Sequence, residues 1–526
     1  DGWAGPDGAR TLVLNPMATP NILFIMADQL SAQATGATYG HPLVNTPHID
    51  ALAAEGVVFD SAYCNSPICG PSRASLCTGR HIDRIGAWDN GTDFAASQPT
   101  FLHHLRRAGY ETMLSGKMHF VGPDQLHGFE RRLTPEIYPS SFTWTPNWHQ
   151  GAYANPGTAV DQLGEAGLCD WSMQLDYDEE VSFRALEALR DLARRPSDGR
   201  PFFLCASYTH PHDPFTITPQ WWNLYDHAEI DLPRIGPRPL EQMHPYDQWL
   251  QTHHMIDVFP PQQEWVRNAR HAYYGMVSYF DHQVGRLTAE LERLGMADDT
   301  LVVITSDHGE MLGEHGMWFK RTYFDASTRV PLIARGPGVI SGARHGETVS
   351  LVDLAPTFID VAKLPDREEV AAELDGDSLL PILEGDESHA KDLAISDYCS
   401  EGAIQPMRMA VRGGWKYVYV HEEAPQLFNL TDDPDEVENR IDDPMTSAVA
   451  ASMHAAVHDN WDPVAIRRAV LDSQQRRRHI NEAWQIGDTP HWDQPTAFDA
   501  RDQYVRRYNA QESARRQRLP RWSAED

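Results

Sequence analysis

Cysteine is scarce. The 526-residue chain carries six, Cys64, Cys69, Cys77, Cys169, Cys205 and Cys399, at irregular spacing and with no C-x-x-C pair. That excludes a disulfide-built scaffold and the common structural zinc sites. Positive charge is short as well. Lys and Arg number 44 against 75 Asp and Glu, a formal net charge of −31. A field of that sign repels nucleic acid and anionic membrane, so neither is an expected partner. An anionic substrate would need a local cluster of cations. No apolar run reaches the length of a membrane span. The opening residues, DGWAGPDGARTLVLNP, lack a basic start followed by an apolar run, so the expectation is a cytoplasmic protein. Met17 reads as a natural start, which makes residues 1–17 an N-terminal extension. Internal repeats and long low-complexity tracts are missing too.

What is present is an alternation of strands and helices. NILFIMADQL is a continuous apolar run ending at Asp28, as in a strand covered on both faces. TPHIDALAAEG reads as a helix with Thr46 as its cap and Pro47 in its first turn. YETMLSGKMHF gives a second strand, ending near Lys117 and His119. EEVSFRALEALRDLARR has helical spacing and leads into PFFLCASYTHPHDPF, a strand ending near His210 and His212. A long amphipathic helix, RHAYYGMVSYFDHQVGRLTAELERLG, feeds TLVVITSDHGE, whose tip carries Asp307 and His308. Open parallel sheets bind ligands at the carboxyl ends of their strands. Four strands here deliver acids, lysine and histidines to that edge.

The fold expected is α/β: a large mixed, mostly parallel sheet sandwiched by helices, over residues 18–390. A smaller α+β subdomain follows at 391–454. There MRMAVRGGWKYVYV reads as a hairpin around Gly413-Gly414, and QLFNLTDDPDEVENR is expected to turn into a helix. Residues 455–526 form an extended C-terminal tail, in which RRAVLDSQQRRRHINEAWQ reads as a helix.

Three of the six cysteines crowd into YCNSPICGPSRASLCTGRH, Tyr63 to His81. A cysteine is most often a buried small hydrophobe. Around Cys69, however, Gly70 and Pro71 make a turn and Ser72 can cap a following helix. That helix start would present N–H groups to an anion, with Arg73 beside them.

The stretch C-G-P-S-R-A-S-L-C-T-G-R resembles the sulfatase signature C-x-P-S-R-x-x-x-x-T-G-R, and the resemblance extends from Pro20 to about Tyr508. Sulfatases belong to the alkaline phosphatase superfamily. The resemblance implies that Cys69 is oxidised to formylglycine by a formylglycine-generating enzyme. A hydrated aldehyde has two hydroxyls: one attacks sulfur, and the other expels sulfate and restores the aldehyde. It further implies one divalent cation on Asp28, Gln29, Asp307, His308 and residue 69, calcium in the family, with magnesium and manganese left open. Many sulfatases have Asp where this chain has Gln29, and Asn where it has His308. By the same resemblance Arg73, Lys117 and Lys320 hold the sulfate and Asn90 contacts it. His119 and His212 transfer protons, with His212 facing the leaving oxygen, and His308 takes the proton that triggers release.

GKMHFVGPDQLHGFERRLTPEIYP and WDQPTAFDARDQYVRRY resemble the choline-sulfatase branch of the family. That branch implies choline-O-sulfate as substrate, a tail that closes a neighbouring subunit's site, and a tetrameric dimer of dimers. A quaternary ammonium donates no hydrogen bond, so aromatic faces and carboxylates are the physical means of holding it. Trp144, Phe498, Tyr504, Glu401 and Asp499 are the candidates. The rivals are a broader arylsulfatase, a phosphonate or phosphate monoester hydrolase, and a non-catalytic sulfate-ester binder with an unmodified Cys69.

Overall fold

In a computed structural model the described residues are 19–152, 157–195, 199–386, 388, 391–488, 491–495, 511–512 and 518–519. The expected extension at 1–17 and the tail candidates Phe498, Asp499 and Tyr504 lie outside them.

The main sheet joins β1 (Asn21–Ala27), β2 (Val57–Tyr63), β3 (Glu111–Gly116), β4 (Arg131–Arg132), β6 (Phe202–Ser207), β8 (Thr300–Ser306), β9 (Leu332–Arg335) and β10 (Ala343–Ser350). Its spatial order is β10-β2-β9-β8-β1-β6-β3-β4. A short ribbon pairs β5 (Gly167–Leu168) with β7 (Thr216–Ile217). Every pairing in the main sheet is parallel except those of β9, which runs against β2 and β8. The four strands read from sequence are β1, β3, β6 and β8, which form the centre of the sheet.

Those four are legible because both their faces are covered. Along β1, Ile22, Phe24 and Met26 enter one apolar core, while Leu23, Ile25 and Ala27 enter the other. Each such large side chain contributes about 1.5–3 kcal/mol on burial. The long helix Gln263–Arg293 packs on the second face through Tyr273, Met276, Phe280 and Leu287. It also caps the helix Pro47–Glu55. Asp281 accepts from the backbone N–H groups of His48 and Ile49 at 3.0 and 2.8 Å. The Thr46 hydroxyl, expected in that role, makes no cap bond.

The small subdomain is a four-stranded antiparallel sheet, β11 (Ala394–Tyr398), β12 (Met407–Arg412), β13 (Trp415–Val420) and β14 (Gln426–Asn429), in sequential order. Gly413 and Gly414 make the expected hairpin with φ of 57° and 74°, the left-handed pair that a tight turn of this kind requires. The helix expected after QLFNL is replaced by β14 and turns. Helix begins only at Ser447, because Asp-Pro, Asp and Asn side chains bond the local backbone instead. Lys416 of β13 fastens this subdomain to the main one. Its buried ammonium donates to Asp325 at 2.6 Å, Glu436 at 2.5 Å and the Tyr323 carbonyl at 2.8 Å. The helix Pro463–Trp484 then returns across the face of the main domain, burying Ile466, Val470, Ser473, Gln474 and Arg477.

Candidate active site

Cys69 is the first residue of the helix Cys69–Thr78, with Ile68 as its extended N-cap. Ser72, expected as the cap, lies inside the helix. Its hydroxyl donates to the Asp307 carbonyl at 2.6 Å, tying the helix to the tip of β8. The T-G-R end of the signature is structural. Gly79 closes the helix with a φ of 66°, and a Cβ there would stand 2.9 Å from that of Ala355.

Asp28 and Asp307 leave the tips of the adjacent strands β1 and β8. Arg73 spans them, with Nε 2.7 Å from Asp307 Oδ2 and Nη2 2.9 Å from Asp28 Oδ2. Its Nη1 donates to the Lys117 carbonyl and Ser207. The guanidinium thus holds the two carboxylates together and carries its charge to the nucleophile position through them. Asp28 Oδ1 points the other way, 3.8 Å from the Cys69 sulfur and 4.0 Å from His308 Nε2. Asp28, Cys69, Asp307 and His308 each offer a ligand atom, all within 4.8 Å of one another and all buried. Two carboxylates and an imidazole, converging beside an oxygen of Asp28 left to a thiol, fit a divalent cation.

Gln29 sits at the same tip with a φ of 68° and is fully buried, its amide engaged by site residues. The amide oxygen accepts from Lys320, and the nitrogen donates to Asp213 at 3.1 Å and Glu310 at 2.5 Å. It holds Lys320 in place.

The cations gather on the other side of Cys69. Lys117 pairs with Asp28 Oδ2. Lys320 donates to His212 Nε2 at 2.6 Å, while His212 Nδ1–H donates to the Asp213 carbonyl at 2.6 Å. His119 is buried with neither ring nitrogen hydrogen-bonded to protein. Its backbone N–H and that of Met118 donate to Glu136, which Arg132 holds at 2.8 Å. Asn90 Oδ1 accepts from the Gly70 N–H at 2.9 Å, beside the nucleophile position.

This charge set acts on the thiol. Burial pushes Cys69 up, but Lys117, Lys320, His308 and the nearby His119 ring pull it well below the usual thiol range. Elsewhere burial wins and raises Cys205 to about 12. For His308, burial lowers the imidazole, but Asp307 and Cys69 raise it further, so the net shift is upward. Its Nδ1 lies 3.0 Å from the Gly309 carbonyl, which leaves Nε2 facing the Cys69 sulfur at 3.2 Å.

Aromatic rings flank the cation cluster. Trp144 stands edge-on to His119 at 5.4 Å and to Tyr138 at 5.0 Å between ring centroids. Tyr138 also lies 5.9 Å from the His212 ring, and the Lys117 ammonium sits 4.2 Å from its centroid. Glu401 does not stand as an open carboxylate. It is buried against Arg321, which donates from Nη2 at 3.1 Å, so its charge is already met. Sequence reasoning missed Tyr138, Asp213 and Glu136. Asp213 lay within the quoted HPHDPF and is an acid next to a strand-tip histidine. Tyr138 and Glu136 lie at the end of the quoted GKMHFVGPDQLHGFERRLTPEIYP, an aperiodic stretch whose resemblance to the choline-sulfatase branch was the one signal that pointed to them.

The family model described as "Sulfatase" matches residues 20–364, and "N-sulphoglucosamine sulphohydrolase, C-terminal" matches residues 313–462. The chain is similar to the choline-sulfatase of Rhizobium meliloti, 40% identical over 503 residues, covering 93% of this chain and 96% of that one. It is 28% identical to arylsulfatase K of Danio rerio over 443 residues, covering 80% of each. Among solved structures, the phosphonate monoester hydrolase of Agrobacterium radiobacter superposes with a TM-score of 0.65 at 25% identity, over 86% of this chain and 96% of that one. The site is thus a sulfuric ester hydrolase's, and the chain belongs to the sulfatase family.

Proposed function

We propose that this sulfatase hydrolyses choline-O-sulfate to choline and sulfate, using formylglycine at position 69 and one divalent cation. The observation that carries the choline reading is the 40% identity to a choline-sulfatase along 93% of the chain. The aromatic pair Tyr138 and Trp144 beside the cation cluster supports it, since a quaternary ammonium is held by ring faces. Phe498, Asp499, Tyr504 and the tetramer enter through the resemblance alone.

Formylglycine supplies a geminal pair of hydroxyls, one to attack sulfur and one to expel the sulfate. A divalent cation on Asp28, Asp307 and His308 supplies positive charge to the sulfate oxygens. Calcium, magnesium and manganese all suit the two carboxylates, and the imidazole is the ligand that departs from an all-oxygen set. The chain's own groups do the rest. Lys117, Lys320 and Asn90 bind the anion in a site closed to water, where fixed charges act at full strength. His212 holds its Nδ1–H on a carbonyl and its Nε2 on the Lys320 ammonium, so the proton for the leaving oxygen comes from the Lys320–His212 pair: Lys320 supplies it and Nε2 is the atom through which it can pass. His308 Nε2 faces residue 69, and with Nδ1 on the Gly309 carbonyl its one lone pair serves the cation when that is bound, so in the metal-loaded site it orients residue 69 and does not also take a proton.

A turnover panel of choline-O-sulfate, 4-nitrophenyl sulfate and an aryl phosphonate tests this. Choline-O-sulfate is expected to exceed the aryl sulfate in kcat/KM by about tenfold or more, the worth of one desolvated cation–π contact or two exposed ones. The likeness to a phosphonate monoester hydrolase makes that activity the second reading. The aryl phosphonate outrunning both sulfates would establish it and remove the choline reading.

A further inference from the structure

The helix Pro463–Trp484 buries a stripe of Ile466, Val470, Ser473 and Gln474, and the stripe ends on Arg477. A buried arginine at the end of an apolar stripe needs a partner. It has one of full strength. Nη1 and Nη2 each lie 2.7 Å from an oxygen of Asp89, a bidentate pair with side chains 4% and 0% exposed. Nη1 also donates to Thr145 Oγ1 at 2.9 Å.

These two partners neighbour two substrate-facing residues on different loops. Asp89 precedes Asn90, which receives the Gly70 N–H beside the nucleophile position. Asp89 Oδ1 also accepts from the Gly91 N–H at 2.9 Å, so the carboxylate pins the turn from within. Thr145 follows Trp144. The loops touch back to back at Gly91, where a Cβ would lie 2.5 Å from the Thr145 nitrogen and 2.7 Å from the Trp144 carbonyl carbon. The same helix grips the second loop at two more points. Gln474 accepts from the Trp148 N–H at 3.0 Å, and Trp484 stacks on Phe142 with centroids 5.3 Å apart.

We propose that Arg477 is a positioning residue for substrate binding: one guanidinium bolts the Asn90 loop to the Trp144 loop and fixes the distance between the sulfate contact and the aromatic wall. It touches no reacting atom. A mutation far from the chemistry that shifts a binding group by about 1 Å costs up to about 10²-fold. The cost here falls on binding, because the strand-tip carboxylates do not hang on Arg477 and the nucleophile helix, fixed by Ser72 and Arg73, meets this loop only through the Asn90–Gly70 bond. The inference rests on sulfate ester hydrolysis and not on choline as the alcohol.

The test uses the full-length protein. Arg477→Lys keeps the charge and loses the fork. The pair Arg477→Met with Asp89→Asn removes both charges, so no buried ion is left alone. Arg476→Ala, an exposed neighbour, is the control. Each is measured for melting temperature, for KM and kcat on 4-nitrophenyl sulfate, and for the calorimetric Kd of inorganic sulfate. Arg477→Lys is expected to raise KM and the sulfate Kd together by about tenfold or more, with kcat within about threefold and melting near wild type. The double variant is expected to show the same split, and Arg476→Ala to match wild type. Unchanged KM and Kd in a folded Arg477→Lys overturns the proposal, as does a fall in kcat alone. Should the wild type turn over no sulfate ester, the functional reading fails, and the sulfate Kd still decides the role of Arg477.

Discussion

The two walls of this site are made in opposite ways. The sulfate wall stands on the tips of β1, β3, β6 and β8, four neighbouring strands buried on both faces. Its charged groups are fully enclosed and interlocked through Arg73. The leaving-group wall consists of loop residues, Tyr138 and Trp144, steadied from outside by a helix of the C-terminal region. On the function proposed above, the reaction is built into the sheet and the choice of alcohol is attached to it. Chemistry common to a family belongs where the backbone cannot move. Specificity belongs where one loop can be exchanged without disturbing the sheet.

If that division is right, damage to the sulfate wall must hit every substrate alike. Cys69→Ala is expected to cost about 10⁴-fold or more in kcat on any sulfate ester, since the nucleophile is lost. Activity within about tenfold of wild type would break the comparison at its base. Lys320→Ala removes one charge from the anion and from His212, at an expected cost of about 10²–10³-fold in kcat/KM on choline-O-sulfate and 4-nitrophenyl sulfate equally. A loss confined to one ester would move Lys320 to the other wall.

Damage to the aromatic wall must be selective. Trp144→Ala is expected to raise the KM for choline-O-sulfate by about tenfold and that for the aryl sulfate much less. Equal losses would make the wall mere packing. Asp247 belongs to neither wall and gives the smallest effect on activity, namely none. Burial pushes its carboxyl up to about 7, with Arg238 partly opposing. The folded state therefore holds a proton that the unfolded chain releases near pH 4. Stability is lost as pH rises from about 4 to 7 and the buried group is forced to ionise. Asp247→Asn is expected to raise the melting temperature at pH 8 more than at pH 5, worth about 1–3 kcal/mol at the higher pH, with unchanged kcat/KM. A gain of equal size at both pH values would show that Asp247 is ionised throughout.

The two walls were also unequally legible. β1, β3, β6 and β8 carry near-continuous apolar runs because both faces are packed, so each strand and its polar tip could be read together. β2, β9 and β10 went unread. VVFDSAY carries Asp60 and Ser61 mid-strand, LIAR is four residues long, and ARHGETVS is polar along an edge. The signature located Cys69 but misplaced the helix start, because Gly70 and Pro71 suit a turn and a first helical turn alike. Arg73 and Gln29 were read as contacts of the anion and the metal. Only the fold shows that each spends its hydrogen bonds on its neighbours. Glu401 was chosen for its charge, and its partner Arg321 lies far away in sequence. Tyr138 lay unremarked inside a segment quoted only for its resemblance, and Arg477 sat in a helix read only as a helix, since their roles depend on loops that meet only in the folded chain.

One further consequence comes from the strand that runs the wrong way. A parallel neighbour would require the chain leaving β8 to cross the whole sheet before starting again. Because β9 is antiparallel, the segment that carries Asp307, His308, Lys320 and Arg321 leaves and re-enters the sheet at one edge. It is an open-ended loop in topological terms. Lengthening such a loop costs only about 0.6 kcal/mol per doubling. Between Arg321 and β9, however, Tyr323, Asp325, Ser327, Thr328 and Val330 are buried and Asp325 holds Lys416, so that stretch is pinned at both ends and an insertion there would unseat the small subdomain before it widened the enzyme's mouth.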